Sequence, residues 1–369
     1  MLLLYRTLQY TELVVFLSLT KQRLVRGSLL AQAQSSQLWP GDRIASHSYM
    51  NRNATLFNTP IFSSFDIVPL TEMSSKLVHH YTSIPSACGP IVVHHVEAGS
   101  YNKHAIIFLH GFPSSATQYR DIMKLLADKY HVLAPDLPGF GFTTCPVGFE
   151  YTFDNLAEIA ASWVESTGLD SFAIYVFDYG APVGWRIALR HPAKVKAVIS
   201  QNGNAYKEGF GEDFWKPIFD LWKSNNGAAE RSIIRHKVLT LETTKFQYVC
   251  GVPATDVSSI DPQTWTFDYL NNLSGERNEQ QQLDLFFDYR SNLDLYPRVH
   301  EWFRKSQVPL LAVWGRGDPA FIPAGAEAFK KDLPSAVITF VESGHFALET
   351  KGPEIAQILD DFLSALHVW

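Results

Sequence analysis

From about Ser75 onward, short apolar runs alternate with amphipathic segments, and this alternation limits the fold more than any other feature of the chain. "AIIFLHG", "HVLAPDLPG", "FAIYVFD" and "VKAVISQ" are brief, nearly continuous apolar stretches, as strands buried on both faces require. Between them lie "SATQYRDIMKLLADKY", "FDNLAEIAASWVEST" and "APVGWRIALRHP", which read as helices. In the second of these, Phe153, Leu156, Ile159, Ala160 and Val164 share one helical face. Two earlier runs, "KLVHHYTSI" and "IVVHHVEAG", predict a hairpin or edge pair. Repeated strand–helix alternation predicts a parallel sheet covered by helices on both faces.

The alternation stops at Asn202. From there to about Phe303 the chain is rich in aromatic and polar residues, with helical patches such as "GEDFWKPIFDLWKS" and "NEQQQLDLFFDYRS" and no strand pattern. It resumes with "VPLLAVWGRGD", "AGAEAFKKDL", "AVITFVESGH" and "PEIAQILDDFLSAL". The expected layout is an N-terminal extension (1–74), a first part of an α/β core (75–203), a helical cap (204–303) and the rest of the core (304–369).

Composition narrows the function. The chain has 369 residues, 46% of them apolar, enough for one large α/β domain with an inserted or appended subdomain. A net charge of −6 without basic clusters excludes a nucleic-acid or membrane-surface footprint. Cys88, Cys145 and Cys250 are odd in number and widely spaced, so neither a disulfide framework nor a metal motif can be read from them. "VHH" occurs twice, at 78–80 and 93–95, but adjacent side chains on a strand point to opposite faces. No metal and no organic cofactor are expected.

The first 74 residues read differently. "LVVFLSL" (13–19) falls short of the roughly 20 residues that span a bilayer. Glu12 precedes it, and Lys21 and Arg23 separate it from the A-x-A at 31–33, which argues against a secretory signal. A weakly ordered extension and a cytoplasmic location are expected. The alternative is a cleaved targeting signal that directs the chain to an organelle or to secretion.

The chemistry is concentrated at strand ends. In "YVFDYGAPVG" (175–184) an apolar strand ends on Asp178, turns through Gly180 and opens a helix. In an open α/β sheet, ligands bind beyond the carboxyl ends of the strands. A strand–turn–helix elbow lifts its side chain clear and aims the helix N-terminus at the reacting centre. A carboxylate there can attack an electrophilic carbon and form an ester. Taken alone, Asp178 is better read as a helix cap. Two more strand ends change the balance: Asp318 in "VWGRGDP" and His345 in "VESGHF". Nucleophile, acid and histidine then follow in the chain order of a hydrolase triad. "LHGFPSS" adds a turn that can present the Phe112 N–H beside that of Tyr179, a two-donor oxyanion hole.

With these residues in view, the chain resembles the α/β-hydrolase superfamily, in the branch of epoxide hydrolases and dehalogenases. The resemblance covers roughly residues 75–369 and rests on HGFP (110–113), DLPGFG (136–141), VFDYG (176–180), GRGD (315–318) and GHF (344–346). It implies an α/β-hydrolase fold: a mostly parallel eight-stranded sheet flanked by helices, with a helical cap after the sixth strand. It also implies an aspartate nucleophile, Asp178, served by Asp318 and His345. Esterases and lipases use serine in G-x-S-x-G, which occurs at no strand end here. Haloalkane dehalogenases typically place tryptophan after the nucleophile and a polar residue third in HGxP; here those positions hold Tyr179 and Phe112. Epoxide hydrolases commonly carry an aromatic there.

Opening an epoxide also needs an acid. The family draws it from a cap tyrosine before an arginine, and "LFFDYRSN" nominates Tyr289, with core packing as the other reading. Tyr206 or Tyr248 is the expected second cap tyrosine, joining Phe112 in substrate binding. The expected function is hydrolysis of an epoxide on a small hydrophobic molecule to a vicinal diol, by a monomer or homodimer without stable membrane insertion. The alternatives are a dehalogenase or other hydrolase of an electrophile, an epoxide-opening cyclase, and a scaffold that binds ligands without catalysis.

Overall fold

The computed structural model describes residues 76–366, and the expectations for the first 74 residues lie outside this range. Its strands are β1 (Val78–Ile84), β2 (Ile91–Ala98), β3 (Ala105–Leu109), β4 (His131–Pro135), β5 (Phe172–Val176), β6 (Val195–Gln201), β7 (Leu310–Gly315) and β8 (Val337–Val341). They form one eight-stranded sheet in the order β1-β2-β4-β3-β5-β6-β7-β8. β1 and β2 are the antiparallel pair read from the sequence, and β2 also lies antiparallel to β4. Every pairing from β4 to β8 is parallel. This is the α/β-hydrolase fold that the sequence led us to expect.

Parallel neighbours need crossovers, and helices supply them. α1 (Arg120–Leu126) follows β3, α2 (Phe153–Ser166) follows β4 and α3 (Gly180–Arg190) follows β5. Between β6 and β7 come α4 (Glu212–Lys223), α5 (Ala228–Lys237), α6 (Leu241–Val249), α7 (Pro262–Asp268), α8 (Glu276–Asp288) and α9 (Ser291–Ser306), with no strand among them. α10 (Pro323–Ala328) joins β7 to β8, and α11 (Leu348–Ser364) closes the chain. No helix of the described residues is long and apolar enough to cross a membrane.

The sheet is covered on both faces, so β3, β5 and β7 carry no charged or amide side chain and are buried at every position. In β5, Ile174 and Val176 pack on one side with Trp163 of α2 and Trp185 of α3. Ala173 and Tyr175 pack on the other with Met123 of α1 and Leu359 of α11. Burying each large side chain this way contributes about 1.5–3 kcal/mol. That anchorage fixes where β5 ends, and so where Asp178 stands.

Two glycines let the loop after β3 touch the elbow after β5. A Cβ on Gly180 would lie 2.0 Å from the Leu109 carbonyl oxygen, and one on Gly111 would lie 2.4 Å from Asp178 Cβ. The Gly180 contact is with backbone that is itself part of β3, so no side chain can swing aside. Gly180→Ala is therefore expected to destabilise the protein by about 2 kcal/mol or more through overpacking. Thermal unfolding monitored by circular dichroism checks this; an unchanged Tm would contradict it.

Candidate active site

Asp178 follows the buried β5 and adopts φ 45°, in the left-handed region where a side chain costs about 1–2 kcal/mol. The conformation turns its carboxylate back over the sheet edge. Oδ1 accepts the Phe112 N–H at 2.6 Å, and the Tyr179 N–H also reaches the carboxylate. The two donors read from HGFP and the elbow thus both meet the Asp178 carboxylate, that of Phe112 at Oδ1. The other oxygen, Oδ2, lies 3.9 Å from His345 Nε2.

His345 is oriented from its far side, where Nδ1 sits 2.7 Å from Asp318 Oδ2. With Nδ1–H given to the carboxylate, a neutral His345 turns the lone pair of Nε2 toward Asp178. Asp318 is saturated: Oδ1 accepts the N–H groups of Ala320 and Phe321, and Oδ2 also accepts Asn202 Nδ2 at 2.7 Å. The His345 ring lies 4.6 Å, centroid to centroid, from that of Phe177. Asp178, Asp318 and His345, chosen from three separate strand ends, are therefore one connected group.

Burial pushes the Asp178 carboxyl up to about 6, although His345 and the two backbone N–H groups favour its charged form. Burial also opposes a charge on His345, but Asp318 and then Asp178 outweigh it, and the imidazole is held above its usual range.

A cavity of about 150 Å³ lies against this group, bounded by Asp178, His345, Phe112 and Tyr179 on the core side and by Trp215 and Phe286 from the helical insertion, among others. That volume matches a benzene-sized guest. Phe112 and Asp178 thus line the same cavity.

Of the three cap tyrosines, Tyr289 lies nearest this arrangement. It is fully buried, its ring 5.7 Å from Tyr179 and 4.7 Å from Trp215. It stands behind the cavity wall rather than in it, with its hydroxyl beside that of Tyr296, while the Tyr179 hydroxyl makes no hydrogen bond.

Tyr206 and Tyr248 correct the sequence reading, since neither lines the cavity. The Tyr206 hydroxyl is spent on Asp332 at 2.9 Å, with its ring stacked 4.2 Å from His300. The Tyr248 hydroxyl is spent on Asp268 at 2.5 Å, and its ring stacks on Phe346 at 3.9 Å. Both are packing residues because a buried phenol needs an acceptor and each found one in its neighbours.

Sequence reasoning missed Asn202, which is buried in the left-handed region just after β6. Its side chain ties Asp318 to the end of β7, donating to Asp318 and accepting the Gly315 N–H at 2.9 Å. The only signal was "QNGN" at another strand end. The DLPGFG stretch turns out to be structural: Asp136 binds His94 Nδ1 at 2.6 Å and the Ala116 N–H at 2.7 Å.

Sequence reasoning also missed a cluster on β1 and β2. The antiparallel register sets His80 opposite His95, and Glu97 joins them two residues along β2. Alternation within one strand could not reveal this cross-strand pairing. The donor set is arranged for hydrogen bonds: Glu97 lies 3.1 Å from His80 Nε2 and 2.7 Å from His131 Nε2, while His95 Nδ1 accepts from Trp163. A metal on His95 Nε2 would require Nδ1–H to face the Trp163 N–H, donor against donor, so these residues do not fit a metal as they stand.

Comparison with known proteins agrees with the fold. Residues 104–352 match the family model described as alpha/beta hydrolase fold. An uncharacterized hydrolase of Saccharomyces cerevisiae, YNR064C, is 41% identical over 265 residues, 71% of this chain and 89% of that protein. A haloalkane dehalogenase of Mycobacterium marinum is 32% identical over 287 residues, 75% of this chain and 91% of its own. The solved structure of the epoxide hydrolase CorEH superimposes with a TM-score of 0.61 at 19% identity, covering 78% of this chain and 99% of that one. The chain belongs to the α/β-hydrolase family, in the branch that holds dehalogenases and epoxide hydrolases, and is a hydrolase of that type.

Removing the Asn202 side chain would leave the Gly315 N–H unpaired and strip one donor from Asp318. Asn202→Ala should cost about 2–3 kcal/mol of stability, the penalty for orphaning buried polar groups. Denaturant unfolding would measure it, and a loss under about 0.5 kcal/mol would deny Asn202 this linking role.

Proposed function

We propose that this hydrolase opens small apolar epoxides to diols through an ester on Asp178, with the helices between β6 and β7 acting as the cap over the site. The observation that carries the reading is the split environment of the Asp178 carboxylate. Oδ1 accepts the Phe112 N–H, the Tyr179 N–H supports the same carboxylate, and Oδ2 faces His345. A carboxylate that merely capped α3 would have no use for a histidine–aspartate pair beyond its free oxygen.

The steps follow from that placement. Asp178 Oδ2 attacks a ring carbon, the C–O bond breaks, and the leaving oxygen takes a proton. Tyr289 is the proposed acid, with the unbonded Tyr179 hydroxyl in the cavity wall as a second donor to the same oxygen. Burial raises the pKa of both phenols well above 10. The same burial raises the proton affinity of the departing alkoxide, and the phenols stay neutral and able to donate at neutral pH. Water, deprotonated by His345 Nε2, then attacks Cγ of the ester. Negative charge gathers on Oδ1, which already accepts the Phe112 N–H, with the Tyr179 N–H beside the same carboxylate. Collapse breaks the Cγ–Oδ2 bond and releases the diol with Oδ2 in it: the new hydroxyl takes the proton held by His345, and the proton left on the Asp178 carboxyl returns to the tyrosinate.

Dehalogenation is the second reading, favoured by the Mycobacterium marinum relative. It uses the same ester and differs at the leaving group, since a halide departs without a proton. Tyr289→Phe should therefore slow epoxide alkylation about 100-fold or more and leave alkyl-halide turnover nearly unchanged. Parallel assays of diol formation and halide release decide between the two.

The ester itself is tested by trapping. His345→Gln should alkylate once and stall, giving intact enzyme heavier by one substrate in mass spectrometry. Asp178→Ala should gain no mass. In ¹⁸O-water, the first turnover of wild type should place an unlabelled enzyme oxygen in the product. Solvent label in single-turnover product would mean direct attack by water, and the nucleophile assignment would fall.

The acid limb follows from Asp178. Its carboxyl is raised to about 6, so the nucleophile is charged above that value and lost as pH falls through it. Single-turnover alkylation should drop about tenfold per pH unit below 6. A rate constant that stays flat down to pH 5 would indicate an ordinary carboxylate.

A further inference from the structure

The cavity has one polar feature that this chemistry does not use. Gln247 on α6 lines it, is 3% exposed, and its amide Nε2 is buried with no hydrogen-bond partner. Three other polar side chains on α6 are spent within the protein. Thr243 Oγ1 donates to the Lys237 carbonyl, Thr244 Oγ1 donates to the Thr240 carbonyl, and Tyr248 donates to Asp268. Gln247 alone of this set keeps an unpaired donor, and it keeps it at the wall of the substrate cavity.

An unmatched buried N–H weakens a protein, and a methionine or leucine would fill the same space without that cost. The rest of the wall is mostly aromatic and aliphatic, with Trp215, Ile218 and Phe246 near Gln247. An amide N–H carries no net charge and binds a neutral acceptor oxygen. No lysine or arginine lines the cavity, Asp178 is its acidic residue, and His345 is already engaged by Asp178 and Asp318, so an anionic substrate is disfavoured.

We propose that Gln247 selects, among small neutral electrophiles, those carrying a hydrogen-bond acceptor oxygen besides the reacting centre; the oxygenated epoxides, such as short alkyl glycidyl ethers, are the substrate class. This inference rests on the epoxide reading above for its reaction, but its recognition element is separate from the catalytic group. The cavity of about 150 Å³ restricts the class to short chains.

The test uses matched pairs. Short glycidyl ethers, and isomers with the ether oxygen moved along the chain, are compared with 1,2-epoxyalkanes of equal length. Wild type should favour at least one oxygenated member by about fivefold to tenfold in kcat/KM. Gln247→Met keeps the length and volume of the side chain, and should bring that ratio to about one while turnover of the plain epoxyalkane persists. Gln247→Glu, which offers acceptors in place of the donor, should push the ratio below one.

A second arm needs no turnover. Calorimetric binding of the corresponding unreactive diols, alkoxy against alkyl, should show the same Gln247-dependent preference. If the binding preference holds but epoxides are not hydrolysed, the epoxide reading falls and the recognition stands. If Gln247→Met leaves every ratio unchanged in both arms while the variant retains the wild-type Tm, the proposal is overturned.

Discussion

The hydrogen bond from the Phe112 N–H to Asp178 Oδ1 joins the ends of β3 and β5, and much of the site is arranged to permit it. It is charge-assisted and short, in the range of the stronger protein hydrogen bonds. Forming it requires Asp178 at φ 45° and backbone approaches that only glycine allows at 111 and 180. These are costs of a kilocalorie or so each, set against a sheet whose central strands are buried on both faces. Strain of this kind persists only where surrounding structure overdetermines it, and here the packing of β5 between two layers of helices supplies the constraint.

Around that contact, negative charge is held at two points with a histidine between them. Asp318 is wrapped by two backbone N–H groups, Asn202 and His345, so both of its oxygens are occupied. Asp178 has fewer donors and is destabilised by burial. The two carboxyls therefore differ in reactivity because of their surroundings, which is the condition for one to act on a substrate while the other orients a base.

The sheet was legible because its signal is local. Continuous apolar runs such as "AIIFL" and "FAIYV" can be buried only as central strands, and both form the strands read from them. Asp178, Asp318 and His345 were legible because strand ends in this topology share one edge. What was not legible depends on contacts between distant residues. The closing helix runs from "PEIAQ" as read, but the short helical turn from Leu348, parted from it by non-helical Lys351 just ahead of Pro353, was not legible. The His80–His95 pairing depends on strand register, and the roles of Tyr206 and Tyr248 depend on Asp332 and Asp268, which lie far off in sequence. Asn202 stood at a strand end like the others. An asparagine there carries no chemistry of its own until Asp318 and Gly315 are placed beside it.

The charge arrangement also bears on how one site could run two different steps. In the free protein both Asp318 and Asp178 favour the protonated histidine. On the proposed route, esterification removes the charge of Asp178. One of the two influences that retain the His345 proton then disappears, while burial continues to favour the neutral ring. The histidine would thus become a better base at the moment a base is needed, after the ester has formed. Before that moment its raised pKa serves the opposite end, because an imidazolium 3.9 Å from Oδ2 stabilises the charged nucleophile against its own burial. No movement of the backbone is required for the change: the substrate carbon itself, by neutralising one carboxylate, resets the proton affinity of the group that will release it.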